Sequence, residues 1–139
     1  MVILSNKGIA AVDAVLAQAG MTAVVDLVLG DMPGVRKKPD PMAFVEIIAP
    51  WYAQSTARDG EGPVVDSVEQ LKPEEVLVVG DTVADIMFAK NVGAVACWAR
   101  YGYGNVDECE KLRPDVVVDG LEEVSGLVGC TVQNGWGSY

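Results

Sequence analysis

Histidine is missing altogether from the 139 residues. That excludes Ser-His-Asp and Cys-His nucleophilic machinery and argues against a zinc centre. Basic residues are scarce: 10 Lys and Arg stand against 20 Asp and Glu, for a net charge of −10. Nucleic acids and anionic membranes both require clustered cations, so neither is expected as a partner. No stretch has the apolar length of a membrane span. The start, Met1 to Lys7, lacks the basic segment followed by a long apolar one that marks a secretory signal. Cysteine is limited to Cys97, Cys109 and Cys130, an odd number without metal-ligand spacing. These residues read as reduced thiols of a cytoplasmic protein.

What remains is enough for one domain with one core, since half of the chain is apolar. Its organising stretch is Leu77-Val78-Val79-Gly80-Asp81-Thr82-Val83-Ala84-Asp85-Ile86. A short apolar run, Val76 to Val79, closed by Gly80, is the pattern of a strand covered on both faces of a parallel sheet. Ligands in such sheets sit beyond the carboxyl ends of the strands, where Asp81 falls. Asp85 follows one helical turn later, so both carboxylates can face one point. Two converging carboxylates suit a hard divalent cation such as Mg²⁺. Taken alone, the same residues would also serve as a helix-capping turn.

Elsewhere, Val2-Ile3-Leu4 reads as a first buried strand, and Ile9, Val12, Leu16 and Ala19 give a helix ending at Gly20. Val24 to Gly30 reads as the second strand. In Lys38-Pro39-Asp40-Pro41, Pro41 suits the start of a helix over Met42–Ala53. Segment 54–67 is rich in Ser, Gly and Asp and reads as a surface insertion. Further strands are expected over Ala94–Ala99 and Asp115–Asp119, with helices from Asp85 to about Asn91, over Val106–Leu112 and over Leu121–Val128. A tail, 129–139, has no period. Strands alternating with helices predict an α/β layered fold with a mainly parallel sheet over residues 1–128.

Three strand ends then carry polar groups: Ser5 and Asn6, Lys38, and the Asp81/Asp85 pair. In a parallel sheet they share one rim. Ser5 can donate to a phosphate oxygen, aided by backbone N–H groups at a helix start. Lys38 can neutralise the anion. Singly these are an N-cap, a surface lysine and a turn. Their joint occurrence in order is what points to a phosphate site.

Leu4-Ser5-Asn6-Lys7, Lys38-Pro39-Asp40-Pro41 and Gly80-Asp81-Thr82-x-x-Asp85 resemble the second, third and fourth motifs of the haloacid dehalogenase (HAD) superfamily, in particular its phosphoglycolate-phosphatase-like branch. Asn91-Val92-Gly93-Ala94 and Tyr101-Gly102-Tyr103-Gly104 also resemble that branch. The resemblance implies a Rossmann-like three-layer sandwich and Mg²⁺-dependent hydrolysis of a small phosphorylated metabolite. It implies that Ser5 and Asn6 bind the phosphoryl group. Lys38 would hold nucleophile and phosphate together, as the one catalytic residue carried over. Asp81, helped by Asp85, would hold Mg²⁺.

The family's first motif, Asp-x-Asp on an N-terminal strand, supplies its nucleophile and general acid/base. No Asp-x-Asp occurs in this chain. The chain resembles the C-terminal part of the core, without the first strand and the cap. Mg²⁺ binding is therefore expected to be weak or absent, and turnover by the chain alone little or none. Three alternatives stand beside a lineage phosphatase. One is a pseudophosphatase acting as a binding or interaction module. Another is an enzyme whose N-terminal segment comes from the same gene or a second chain. The third is a phospho-receiver domain, disfavoured because Leu4-Ser5-Asn6 lacks that fold's acid pair. Without its middle strand the sheet would expose the edges Val2–Leu4 and Val76–Val79. Direct closure of the two strands, or a strand-sharing homodimer, is expected over an open gap.

Overall fold

The computed structural model describes residues 1–58 and 70–130. The chain alternates strands β1 (Val2–Gly8), β2 (Leu27–Asp31), β3 (Leu77–Gly80), β4 (Val95–Ala99) and β5 (Val116–Val118) with helices α1 (Ile9–Gln18), α2 (Ala49–Arg58), α3 (Val83–Val92), α4 (Val106–Lys111) and α5 (Leu121–Cys130). No helix among the described residues is long and apolar enough to cross a membrane. The second strand starts at Leu27 instead of Val24, because Thr22–Val24 winds into a single 3₁₀ turn. A π-helical stretch, Ala43–Ile48, leads directly into α2 and buries Ala43, Phe44 and Ile48. The helix runs on through Gln54–Arg58, which composition assigns to a loop. There Ser55 and Thr56 donate their hydroxyls to the carbonyls of Trp51 and Tyr52 and so stay compatible with the helix. The remainder of that predicted insertion lies outside the described residues, as do residues 131–139 of the tail.

All strand pairs are parallel. In β4 the side chains alternate between two layers, as the two-residue period requires. Ala96 and Trp98 pack with Ile86, Ala89 and Cys109 of α3 and α4. Cys97 and Ala99 pack with Val118 and, on α5, Val124 and Leu127. Across the other half, Leu29, Phe44, Ile48 and Phe88 form a cluster joined by Val2, Leu4, Val76 and Val78. Helix α1 contributes the buried Val12 and Leu16. Helices thus cover a parallel sheet on both faces, the Rossmann-like arrangement that the alternation of elements implies.

The sheet is in two pieces. β1 ladders with β2, and β3 with β4 and β5. The direct closure of β1 onto β3 expected from sequence does not occur. The Lys38 ammonium links the two pieces instead, donating to the Leu4 carbonyl in β1 at 2.8 Å and to Asp85 at the start of α3 at 2.5 Å. The Leu4 carbonyl is thereby satisfied by a side chain.

Candidate functional site

Asp81 and Asp85 sit where β3 passes into α3, but in different surroundings. Gly80 permits the turn: a Cβ there would lie 2.3 Å from the Cβ of Asp85. Asp85 is 7% exposed, the buried charge of the site. Its Oδ2 accepts from the Thr82 amide at 2.9 Å and from the Thr82 hydroxyl at 2.6 Å, an acid at the third helical position reaching back to the cap. Its Oδ1 accepts from Lys38 Nζ at 2.5 Å. Burial pushes the Asp85 carboxyl up. The hydrogen bonds from Lys38 and Thr82, with the ammonium charge, outweigh burial and hold it below the ordinary carboxylate value.

Lys38 is positioned from the first strand. The Asn6 side chain brackets the Lys38 backbone, accepting its N–H at 2.8 Å and donating to its carbonyl at 3.0 Å. The Lys38–Pro39 peptide is cis. From α3, Asn91 donates to the Pro39 carbonyl at 2.8 Å. Asp40 accepts from the Met42 amide at 2.9 Å, which starts the following helix. Ser5 and Asn6 lie within β1, which runs on to Gly8, so the helix start expected beside them falls instead at Ile9; the Ser5 hydroxyl oxygen accepts from the Lys7 amide at 3.1 Å. Its own proton remains free to donate among the described residues.

Asp81 is held by a loop from the other side. Its Oδ2 accepts from the Tyr103 amide at 2.7 Å. Its carbonyl accepts from the Trp98 indole at 3.3 Å and lies 3.8 Å from the Cys109 sulfur. The loop approaches so closely that a Cβ at Gly104 would lie 1.8 Å from the Asp81 carbonyl oxygen, and one at Gly102 2.2 Å from the Asp81 Cβ. Asp81 Oδ1 has no hydrogen-bond partner among the described residues.

Five residues were singled out from sequence: Ser5, Asn6, Lys38, Asp81 and Asp85. The fold joins Asn6, Lys38 and Asp85 in one network, and Ser5 adjoins it through the chain. Asp81 occupies the same strand end. The donor set fits Mg²⁺ in part. Asp81 offers one free carboxylate oxygen, and Mg²⁺ commonly takes one or two carboxylates and keeps waters. Both Asp85 oxygens are taken, and no group of three His, Cys, Asp or Glu side chains able to hold a metal occurs among the described residues. The capping turn weighed from sequence is what Thr82 and Asp85 form, whereas sequence reasoning missed the contributions of Asn91, Trp98 and the Tyr103 amide. The paired glycines Gly102 and Gly104 were a signal for the last of these. Nothing in the sequence marked the Trp98 indole.

Comparison with known proteins identifies the family. Phosphoglycolate phosphatase of Vibrio parahaemolyticus is 30% identical over 131 residues, which cover 94% of this chain and 50% of the relative. That of Vibrio cholerae is 31% identical over 121 residues, covering 87% of this chain and 46% of the relative. The chain thus spans about half the length of these relatives. A crystal structure of a predicted phosphoglycolate phosphatase from Haemophilus somnus superposes with a TM-score of 0.69 at 21% identity, over 91% of this chain and 48% of that one. A haloacid dehalogenase-like hydrolase from Streptococcus pneumoniae gives 0.65 at 17% identity, over 91% and 50%. The family model described as HAD-hydrolase-like matches residues 35–124, well over half of the sequence, and the chain belongs to that family.

Proposed function

We propose that this chain carries the phosphate- and metal-facing half of a Mg²⁺-dependent phosphatase acting on a small phosphorylated metabolite, and that alone it does not turn substrate over. The observation that carries the reading is the Lys38 ammonium. It is held between β1 and the start of α3 by the Leu4 carbonyl and Asp85. A fixed ammonium, bonded to the carbonyl of the residue that precedes Ser5, suits a dianionic phosphoryl group.

Mg²⁺ bound at Asp81 would supply charge neutralisation on the phosphoryl oxygens. The chain's own residues do the rest of the binding. Lys38 neutralises the anion, Ser5 donates to it, and Asn6 holds the Lys38 backbone in place. Asp85 is the positioning residue of Lys38. Among the described residues of the rim, Asp85 is engaged by Lys38 and Thr82 and Asp81 by the Tyr103 amide, so neither is offered as a nucleophile. Without a nucleophile, proximity of the remaining groups leaves covalent catalysis unsupplied.

The test is hydrolysis of p-nitrophenyl phosphate by the 139-residue chain with and without Mg²⁺. No turnover above background is expected. Turnover that disappears in Asp81→Asn would overturn the reading. Calorimetry should give a Mg²⁺ affinity in the millimolar range, roughly 4 kcal/mol, and micromolar binding would contradict it. The second reading, a pseudophosphatase that binds without reacting, is favoured by the engagement of Asp85. It predicts inorganic phosphate binding that is lost in Lys38→Met and unaffected by Mg²⁺. Reduced thiols and the acidic charge suit a cytoplasmic setting for either.

A further inference from the structure

Trp98 is 2% exposed and packs with Ile86, Ala89 and Cys109. In the ladder of β3 with β4 it stands opposite Gly80, the residue before Asp81. Core packing alone would be served by any large apolar side chain. An indole brings one N–H besides, which needs a partner when buried. Here the partner is the Asp81 carbonyl, at 3.3 Å.

That carbonyl is passed over by both neighbouring elements. β3 ends at Gly80, and the first bonds of α3 run from the Asp85 and Ile86 amides to the Thr82 carbonyl. Among the described residues no backbone N–H donates to the Asp81 carbonyl. The loop backbone at Gly104 closes over it and leaves no room for a Cβ. A carbonyl enclosed in this way needs a side-chain donor. Trp98 supplies one, and the Cys109 thiol supplies a second, weaker one at 3.8 Å. The other end of the same peptide is the Thr82 N–H, which donates to Asp85 Oδ2 at 2.9 Å. The Asp81–Thr82 peptide plane is thus held at both ends, by an indole from β4 and by the carboxylate that also takes Lys38. Turning that plane would swing the Asp81 side chain and slacken the bond to Asp85 together. The Asp81 carboxylate is itself tied through Oδ2 to the Tyr103 amide at 2.7 Å.

We propose that Trp98 is a positioning residue of the rim: its indole, acting through the Asp81–Thr82 peptide, sets the aim of the Asp81 carboxylate and with it the affinity of the rim for a divalent cation. The inference rests on the reading of Asp81 as the metal-facing acid. Cys109 shares the role as the weaker donor.

Trp98→Phe keeps most of the apolar bulk and removes the N–H. Ile86→Val trims the same cluster without removing a donor to the carbonyl and controls for lost packing. Two quantities are read by nuclear magnetic resonance on the 139-residue chain. One is the Mg²⁺ Kd, from the shift of the Tyr103 amide. The other is hydrogen exchange at the Thr82 and Tyr103 amides without metal. Trp98→Phe should weaken Mg²⁺ binding about tenfold and speed exchange at both amides. Ile86→Val should do neither, although it too lowers the melting temperature. Equal effects in the two variants overturn the proposal and leave Trp98 as packing. So does a native Kd in Trp98→Phe. A native chain without any Mg²⁺-dependent shift overturns the affinity claim together with the metal reading. Exchange at Thr82 and Tyr103, which needs no metal, tells failure of that reading from failure of the Trp98 assignment. Should Trp98→Phe not fold, the native chain carries the test. Its Trp98 indole proton should move with Mg²⁺ on the same isotherm as the Tyr103 amide, and an indole proton that stays put overturns the proposal.

Discussion

Replacing Lys38 by methionine isolates the electrostatics of the rim. The Lys38 and Asp85 side chains are 14% and 10% exposed and meet at 2.5 Å, so the substitution strands a carboxylate that solvent barely reaches. Breaking a buried pair from one side typically costs about 3–5 kcal/mol. Thr82 still gives Asp85 two hydrogen bonds, which argues for the lower end, about 3 kcal/mol. For a chain of this size that is a fall in Tm of roughly 10 °C. The cost should depend on pH with a definite sign. Asp85 titrates below its ordinary value in the native protein. Its contribution is therefore present above the unfolded carboxyl value near ~4 and is lost as pH falls through the folded one. Without Lys38 the burial cost is no longer outweighed, and the carboxyl rises. The difference between native protein and variant should then be largest near neutrality and shrink towards about pH 4. Urea unfolding of Lys38→Met, Asp85→Asn and the double variant across that range is the assay. The double variant should be more stable than the sum of the single losses predicts, by about 1–3 kcal/mol. Additive losses, or a Lys38→Met cost that is flat with pH, would refute the argument.

Three further outcomes follow from the same structure. Gly104→Ala should lift the Tyr103 amide from Asp81, because its Cβ would overlap the Asp81 carbonyl; thermal melting should show a loss of about 1–3 kcal/mol, and a loss within experimental error would mean that the loop is not seated on Asp81. Cys97, pushed up to about 11 by burial and the charge of Glu123, and the buried Cys109 should resist a disulfide reagent at pH ~8 until urea unfolds the chain; mass mapping that finds either labelled in the folded state would contradict this. The Arg100–Asp119 pair lies at the surface with side chains 45% and 64% exposed, so Arg100→Ala should leave the melting temperature unchanged at physiological salt.

The fold was legible where side-chain periodicity reports burial. The Val76–Val79 run closed by Gly80, the 3,4,3 spacing from Ile9 to Ala19 and the apolar Ala94–Ala99 segment each gave an element close to its observed bounds. Legibility failed where local chemistry competes with periodicity. Val24 and Val25 look like strand, yet Thr22–Val24 turns before β2 begins. Gln54 to Arg58 looks like loop, yet it continues α2, with the Ser55 and Thr56 hydroxyls turned back onto carbonyls one turn earlier. The site was legible as a set of residue types and not as a set of bonds. Spacing alone puts Asp81 and Asp85 one turn apart. It does not reveal that one is turned back onto Thr82 and Lys38 while the other is held by a backbone amide 22 residues later.

A parallel sheet interrupted between β1 and β3 should let its rim drift apart, since no ladder fixes the two halves in register. The polar residues compensate. Asn6 fastens β1 to the Lys38 backbone, Lys38 fastens Leu4 to Asp85, and Asn91 fastens α3 to Pro39. Each bond crosses from one half to the other or ties the connecting loop to one of them, and each ends on a backbone carbonyl or a buried carboxylate. The rim is thus cross-linked by side chains where the backbone is not paired. This explains how a phosphate-binding set can stay assembled around an incomplete sheet. It also means that the groups that would grip an anion are in use as fasteners. Asn6 shows the conflict most directly: both polar atoms of its side chain are spent on Lys38, so a phosphate could recruit that side chain only by loosening the loop it secures.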